Sequence, residues 1–325
     1  MIKIEQKYTH TPVLLKEVIK YLNPKPGQNF VDATLGGGGY SKAILEKIKP
    51  GGKVLSIDSD EEAIKNFKFQ ISNDKSEILN SKFAIIHRGN FRDIDKIVRH
   101  HQVMNISGIV ADIGFSSYQL DQSGRGISFS KKEPLDMRFD QSQKTDAKFI
   151  LNNYSEEQLK KIFEEYGEEK FSGQIARKIQ NSKIKNQSIH YTSDLYQLIQ
   201  EALPKPVKHK VEDSARRIFQ ALRIEINHEL DNLQEFLPKA FAILSPGGRL
   251  AVVSFHSLED RIVKQYFVGL TKGCVCPQEF PLCLCGKNPQ GKIVTKKVIT
   301  ASEKELKENP RSKPAKLRVI EKICV

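Results

Sequence analysis

The chain has 325 residues, of which 39% are hydrophobic and 28% charged, and this composition excludes an intrinsically disordered protein. Lys and Arg outnumber Asp and Glu by 52 to 39, and the formal net charge of +13 favours a polyanionic partner, with a solvated lysine-rich surface as the alternative. No apolar run approaches the ~20 residues that a membrane helix needs, and the first residues, MIKIEQKYTHTPVLL, lack a signal-peptide core. We therefore expect a cytoplasmic protein that does not enter a membrane.

The first 120 residues alternate between strand-like and helix-like segments. Four apolar segments are predicted strands: NFVDAT, GKVLSIDSD, KFAIIHRGNF and ISGIVADIGFSS. Helical patterns such as YSKAILEKI and EEAIKNFKFQI separate them. Apolar strands joined by helices predict βαβ units and a parallel sheet, so the fold class is α/β.

The pattern changes after residue 120 and returns near residue 213. Between them we predict only helices, one of which begins with a capping box formed by Ser155 and Gln158. A fifth strand in PGGRLAVVSF and two closing strands in GKIVTKKVI and KLRVIEKIC follow. The predicted domains are an α/β core over 1–120 and 213–325, with an inserted α-helical domain over 121–212.

The glycine-rich stretch FVDATLGGGGYSKAIL connects the first strand to its helix. It fails the G-x-G-x-x-G dinucleotide pattern, because Ser41 or Lys42 stands where the third glycine belongs. Asp32 precedes the glycines and would repel a pyrophosphate, whereas a carboxylate suits the amino and sulfonium groups of S-adenosylmethionine. A tight strand-to-helix turn that binds no ligand is the alternative.

Three predicted strands end on an aspartate: Asp32, Asp58 and Asp112. Ligands of open parallel sheets bind beyond the carboxyl ends of the strands, so these residues should share one rim. Asp58 lies about twenty residues after the loop, where a carboxylate can hold ribose hydroxyls. Helix capping would explain any one of the three residues, but it explains all three together less well.

Several segments, in this order along almost the whole chain, resemble one known family: HTPVLL, DATLGGGGYS, DIGFSSYQLD, RGISF, PLDMR, YGEEKFSGQIARKI, RRIFQALRIEIN, GGRLAVVSFHSLEDRIVK and NPRSKPAKLR. The chain resembles the bacterial ribosomal RNA small subunit methyltransferase H (MraW-type) family, which methylates N4 of a cytidine in the decoding (P-site) region of 16S rRNA. The resemblance implies a class I (Rossmann-like) S-adenosylmethionine-dependent methyltransferase with an inserted α-helical domain that recognises the substrate. It also implies 16S rRNA, within the small ribosomal subunit, as the partner. The oligomeric state stays open, with a dimer as one alternative.

Carried over residue by residue, the resemblance implies a set of cofactor contacts. Asp58 would hold the ribose, Phe91 would lie near the adenine, and the remaining contacts would come from Gly38, Gly39, Tyr40, Asp112 and Gln119. Many members have His where this chain has Tyr40, which bears on how the loop orders around the cofactor. We assign no metal to this site.

The sequence indicates less clearly which residue accepts the proton from the amine that is methylated. Enzymes that methylate exocyclic amines often carry an Asp/Asn/Ser-Pro-Pro-aromatic motif after the fourth strand, and this chain has DIGFSS there instead. The candidates are Asp112, Ser116 or Ser117, and His256 in SFHSLEDR, whose ring titrates near neutral pH. Capping or stacking without proton transfer is the alternative for His256.

Basic and cysteine-rich segments remain. Lys205–Lys210 and NPRSKPAKLR are loop-like candidates for RNA contacts, whereas Arg216, Arg217 and Arg223 would bind phosphates or form ion pairs on a helix. Four thiolates with the spacing C-x-C-x6-C-x-C can bind zinc tetrahedrally or stay reduced in a loop. They are Cys274, Cys276, Cys283 and Cys285.

Three other functions are weighed against this one. An NAD(P) oxidoreductase would need a true G-x-G-x-x-G. A non-catalytic RNA-binding module would not need acids at three strand ends. A methyltransferase of DNA or small molecules fits the spacing, and only the family resemblance disfavours it.

Overall fold

The protein is described by a computed structural model over residues 12–73, 82–114, 124–185, 187–273, 286 and 288–324. It divides into two compact units, one formed by 1–114 and 231–325 and the other by 115–230. The second division falls at 230/231 rather than at the predicted 212/213. The reason is that the helix over 211–227 places Ala215, Ile218 and Leu222 in the core of the helical unit.

The helices and strands follow one another in the order that the sequence predicts. The strands are β1 (Asn29–Asp32), β2 (Val54–Asp58), β3 (Ala84–Arg88), β4 (Ile106–Ile113), β5 (Leu244–Ser254), β6 (Gly291–Ile293) and β7 (Lys316–Lys322). The helices are α1 (Leu15–Leu22), α2 (Gly39–Ile48), α3 (Glu61–Asn73), α4 (Ile94–His100), α5 (Ala147–Asn153), α6 (Glu156–Glu165), α7 (Ser172–Ile184), α8 (Thr192–Ala202), α9 (Val211–Asn227), α10 (Glu229–Ile243), α11 (Ser257–Thr271) and α12 (Glu303–Glu308). Short 3₁₀ helices cover Phe91–Asp93, Lys205–Lys210 and Pro310–Ser312.

The first unit is built on one sheet with the strand order β3-β2-β1-β4-β5-β7-β6. Strands β1 to β5 pair in parallel, while β7 pairs antiparallel with both β5 and β6. The strand order reverses between β1 and β4, which is the switch point at which doubly wound sheets bind ligands. The predicted α/β class, with a Rossmann-like core, is confirmed.

Both faces of the sheet are buried. Val31, Leu55 and Ile109 belong to the core on one face. Their chain neighbours Phe30 and Val54 belong to the core on the other face. Because alternate residues enter opposite cores, most positions of these strands are apolar, and this explains the nearly continuous apolar runs in the sequence.

The second unit is helical in its described residues, where the β-type pairing is an isolated bridge between Pro134 and Tyr191. The predicted capping box is confirmed, since the Gln158 N–H donates to Ser155 Oγ at 3.2 Å and the Ser155 N–H to Gln158 Oε1 at 2.8 Å. Helices α9 and α10 are separated at His228, which has a φ of 50°. Among the described helices, none is both long and apolar enough to cross a membrane.

Substitution of Gly108 tests how tightly β1 and β4 pack. A Cβ added at Gly108 would lie 2.4 Å from Phe30 Cε1, whereas no described atom lies within 4 Å of a Cβ at Gly269 in α11. We expect Gly108→Ala to lower the free energy of unfolding by about 1–3 kcal/mol. Gly269→Ala should leave it unchanged or raise it by up to about 1 kcal/mol. Denaturant titration of both variants checks this, and equal effects would contradict the packing.

Candidate active site

The three predicted strand-end aspartates all lie at the carboxyl edge of the sheet. Asp32 ends β1, Asp58 ends β2, and Asp112 is the penultimate residue of β4. Strands β1 and β4 are neighbours at the switch point, and β2 lies directly beside β1. The rim that the sequence predicts is therefore formed by three adjacent strands.

Asp32 is fully buried below the glycine loop. Its Oδ2 accepts a hydrogen bond of 2.6 Å from Ser41 Oγ, which lies 2.7 Å from Ser56 Oγ, and its Oδ1 accepts one from the Thr34 N–H. Burial, together with the charge of Asp58, raises the pKa of Asp32 to about 7. A ligand cannot touch a side chain with no exposed surface. Asp32 therefore ties the start of α2 to the strands, and it acts on a ligand only through its charge.

Asp58 is partly exposed and holds the glycine loop. One carboxylate oxygen accepts the Gly36 N–H and the other the Asp60 N–H, each at 2.8 Å. Burial raises the pKa of Asp58 to about 6, and the two backbone hydrogen bonds oppose that rise. Each carboxylate oxygen has a second lone pair, so an oriented carboxylate of this kind can also accept from a pair of hydroxyls.

Asp112 carries an unsatisfied oxygen. Its backbone N–H donates to Thr34 Oγ1 at 2.7 Å, and its Oδ2 accepts a hydrogen bond from the Tyr40 hydroxyl at 3.4 Å. Its Oδ1 is buried and has no hydrogen-bond partner among the described residues. Burial, and then the charges of Asp32 and Glu259, raise the pKa of Asp112 to about 7. A buried acceptor without a partner is costly, so this atom is suited to a donor on a ligand.

Side chains of the protein pack closely against Gly38 and Gly39. Gly38 has φ +78°, and a Cβ there would lie 2.2 Å from the ring of Phe67. A Cβ on Gly39 would lie 2.4 Å from Pro12 Cγ. The loop can therefore turn into α2 at Gly39 only because both side chains are missing.

Tyr40 follows these glycines and is buried. Its hydroxyl donates to the carbonyl of Val13 and lies beside Asp112. The aromatic ring therefore connects the segment before α1 with the end of β4. Burial, and then the negative charges of Asp112 and Asp32, hold the pKa of Tyr40 well above its ordinary value, so the phenol stays protonated and acts as a donor.

Phe91 opens the 3₁₀ turn after β3. The turn is joined to β2, because the Gly89 N–H donates to the Asp58 carbonyl at 2.9 Å. The ring of Phe91 packs edge-on against Phe236 of α10, with centroids 5.1 Å apart and an interplanar angle of 81°. This places a half-buried aromatic ring next to the end of β2.

His256 caps α11. Its Nδ1 accepts from the Glu259 N–H at 3.5 Å, and Glu259 Oε2 accepts the N–H groups of Phe255 and His256 at 2.8 and 3.2 Å. His256 Nε2 also lies 3.1 Å from Glu259 Oε1. The capping role that the sequence left open as an alternative is therefore present. Glu259 is only 1% exposed and escaped the sequence analysis, although its position three residues after the cap is the capping-box signal.

Comparison with known proteins identifies the family. The model of the MraW methylase family matches residues 7–323. The chain belongs to the MraW methylase family. It is 45% identical to "Ribosomal RNA small subunit methyltransferase H" of Heliobacterium mobile, over 98% of this chain and 100% of that one. The protein of the same name from Clostridium botulinum strain 657 is also 45% identical, with the same coverage. A solved rRNA methylase from Streptococcus thermophilus is 12% identical with a TM-score of 0.41, and the match covers 95% of this chain and 94% of that one.

Ion pairs engage the helix arginines of this MraW methylase within the helical unit. Arg223 and Glu229 form two hydrogen bonds of 2.8 and 3.0 Å, and Arg217 Nε donates to the buried Glu169 at 2.7 Å. Arg216 pairs with Asp213 at 3.0 Å on the surface. This is the ion-paired arrangement that the sequence left as one alternative.

The two basic loop segments differ from those arginines in exposure. Lys205, Lys208 and Lys210 are exposed in the helical unit. In the α/β unit, Lys313 is exposed, whereas Arg318 forms a bidentate ion pair with Asp260 at 2.7 and 3.0 Å. Several lysines of both segments are therefore accessible to a polyanion.

Several predicted residues lie outside the described part of the chain. They are Gln119 among the cofactor contacts, Ser116 and Ser117 among the proton acceptors, and the four cysteines Cys274, Cys276, Cys283 and Cys285.

The buried Asp32 makes stability depend on pH. Its pKa is raised from 3.8 to about 7, so the folded protein binds this proton more tightly than the unfolded chain does. This contribution to stability is therefore complete below pH 4 and declines as the pH rises to 7, by up to about 1.4 kcal/mol per pH unit. Asp32→Asn removes the titrating group. We expect denaturant titrations from pH 5 to 8 to show the stability of the variant rising relative to wild type as the pH increases.

Asp260→Asn is the control for that experiment. Burial raises the pKa of Asp260, but the hydrogen bond and charge of Arg318 and the charge of Lys316 outweigh it, so the pKa lies below its ordinary value. The carboxylate is then ionised in both states from pH 5 to 8. Asp260→Asn should therefore be less stable than wild type by the same amount at each pH. If the stability difference between Asp32→Asn and wild type is also independent of pH, the raised pKa of Asp32 is contradicted.

Proposed function

We propose that this MraW methylase transfers a methyl group from S-adenosylmethionine to N4 of a cytidine in the decoding (P-site) region of 16S rRNA. The observation that carries the proposal is the rim of Asp32, Asp58 and Asp112 at the switch point of the sheet, where Oδ1 of Asp112 has no hydrogen-bond partner among the described residues. The name that its relatives carry supports rRNA of the small subunit as the substrate. We propose that the enzyme acts in the cytoplasm on rRNA within the small ribosomal subunit.

The residues of the rim fit the proposed methyl donor. Asp58 presents an oriented carboxylate for the ribose hydroxyls, and Phe91 presents an aromatic ring beside it for the adenine. We assign further contacts to Gly38, Gly39 and Tyr40, whose hydroxyl lies beside Asp112, and to Gln119, all of which the family resemblance implies. Asp112 Oδ1, which no described residue contacts by a hydrogen bond, and the surrounding negative charge suit the cationic amino and sulfonium groups.

Alignment is the main contribution that we assign to the protein. When bound, S-adenosylmethionine supplies a methyl group already activated by its sulfonium. The residues of the rim therefore need to fix two reactants in one orientation, which supplies about 7–11 kcal/mol of the barrier in well-oriented model systems. The acceptor base has to leave its stack to reach the site.

Asp112 and His256 are the residues that we propose for the proton. The cytosine amine is a poor nucleophile because its lone pair is delocalised into the ring, and a hydrogen bond from the amine to an acceptor favours the reactive geometry. Asp112 has a pKa of about 7, close to the pH at which a general base works best. Glu259 holds His256 in place, and its charge acts on Asp112, so the two candidates belong to one electrostatic group.

We assign recognition of the rRNA to the inserted helical domain and to the exposed lysines. Lys205, Lys208 and Lys210 lie in the turn before α9, and Lys313 lies in the loop before β7. Each lysine that contacts a phosphate releases counterions, so binding should weaken steeply with salt.

The proposal is tested by labelled methyl transfer to 16S rRNA, both naked and in small ribosomal subunits, followed by mapping of the modified nucleoside. We expect label on a single cytidine of the decoding region, as N4-methylcytidine, with assembled subunits as the better substrate. Label on a uridine or adenosine, or no label on rRNA, would overturn the assignment. Binding of S-adenosylmethionine, measured separately, distinguishes a failed cofactor site from a wrong substrate.

A pair of substitutions at His256 separates proton transfer from capping. Asn is a strong helix N-cap and does not titrate, so His256→Asn should preserve the start of α11, whereas His256→Gln removes both properties. If His256 carries the proton, both variants should lose turnover by roughly 10²–10⁴-fold while cofactor affinity is unchanged. Undiminished turnover in His256→Asn would remove His256 from the mechanism and leave Asp112 as the proton acceptor.

A further inference from the structure

Three histidines cluster on the α/β unit, apart from the groups to which a role was assigned above. His87 lies in the edge strand β3, His100 is the last residue of α4, and His101 caps that helix. His87 Nδ1 and His101 Nε2 face each other at 3.0 Å. Ring centroids are 4.9 Å apart for His100 and His101, and 6.2 Å apart for His87 and His100.

We propose that His87 and His101, with His100 as a third ligand, form a binding site for a divalent transition-metal ion such as Zn²⁺, Ni²⁺ or Cu²⁺. Imidazole nitrogens are preferred ligands for these ions. Two nitrogens that bind one tetrahedral zinc at 2.0–2.1 Å lie about 3.3 Å apart. The observed separation of 3.0 Å is within a few tenths of an ångström of that value, so small ring rotations suffice to admit the ion.

A metal would bind the pair in its neutral form, because a neutral imidazole offers a lone pair to the ion. In the neutral pair one N–H is shared between Nδ1 of His87 and Nε2 of His101. An ion would take both lone pairs while that proton moves through solvent to the other nitrogen of its own ring.

The backbone fixes the two inner ligands. The His101 N–H donates to the Ile97 carbonyl at 3.1 Å, so its Cα is held at the end of α4. A Cβ on Gly89 would come within 3.0 Å of the His87 ring, so the ring can occupy its position because Gly89 has no side chain. His100 is exposed and can rotate toward the pair, and water would complete the coordination of an ion bound near the surface.

Nickel binding to the full-length protein tests the site. Equilibrium dialysis with metal analysis should find one ion fewer per chain in His87→Gln and in His101→Gln than in wild type, or an affinity lower by about 10–100-fold. His209→Gln, which changes an exposed histidine of the helical unit, should bind as wild type does. Cys276→Ser should also keep this ion, which separates the histidine site from any thiolate site. Unchanged nickel stoichiometry and affinity in both His87→Gln and His101→Gln would overturn the proposal.

A second measurement does not depend on the variants folding. Substoichiometric Ni²⁺ should selectively broaden the imidazole NMR signals of His87 and His101 in the wild-type protein. If the histidine signals stay sharp while other signals broaden, the ion binds elsewhere and the inference is wrong.

Discussion

Burial of carboxyl groups close to one another is the constraint around which the rim of the sheet is organised. The charge of Asp58 acts on Asp32, and the charges of Asp32 and Glu259 act on Asp112, so four acids along neighbouring elements oppose one another's ionisation. The fold offsets part of this cost with the backbone N–H groups of the loop and the Ser41 hydroxyl. Burial, with this repulsion as a smaller cause, still raises the pKa values of Asp32 and Asp112, and Oδ1 of Asp112 has no hydrogen-bond partner among the described residues. A site arranged in this way is complementary to a positively charged ligand.

The glycine loop shows how one short segment serves both packing and chemistry. Because Gly38 and Gly39 have no side chains, Phe67 and Pro12 pack directly against them, and the start of α2 can lie close to the strands. That position in turn lets Tyr40 reach Asp112. A substitution in this loop would therefore disturb the core and the site together.

The sequence predicts the strands, their aspartates and the helical insert because these features depend on local pattern. Apolar runs on a sheet that is buried on both faces are continuous, and an acid at the end of such a run is conspicuous, as at Asp58 and Asp112. What the sequence misses depends on contacts between distant residues. The pairing of Arg223 with Glu229 and the approach of His87 to His101 exist only after folding.

The division between the two units shows the same limit. The boundary at 230/231 is later than the sequence places it, because the apolar face of α9 is equally compatible with either neighbour until the helix is packed. Asp32 is a further case. Its position in the motif predicts a ligand contact, whereas its complete burial assigns it to holding the loop. Sequence spacing identifies which residues share the rim, but depth below the surface decides how each one acts.

Oδ1 of Asp112, for which the described part of the chain supplies no hydrogen-bond partner, affects how the rim exchanges protons with its surroundings. A carboxyl group with a pKa of about 7 is divided between its two forms at neutral pH, so a proton and a cationic ligand compete for the same position. Entry of positive charge then expels protons, and the departure of that charge draws them back. Binding of a cation at the rim therefore depends on the pH, and the number of protons bound at the rim depends in turn on whether the cation is present.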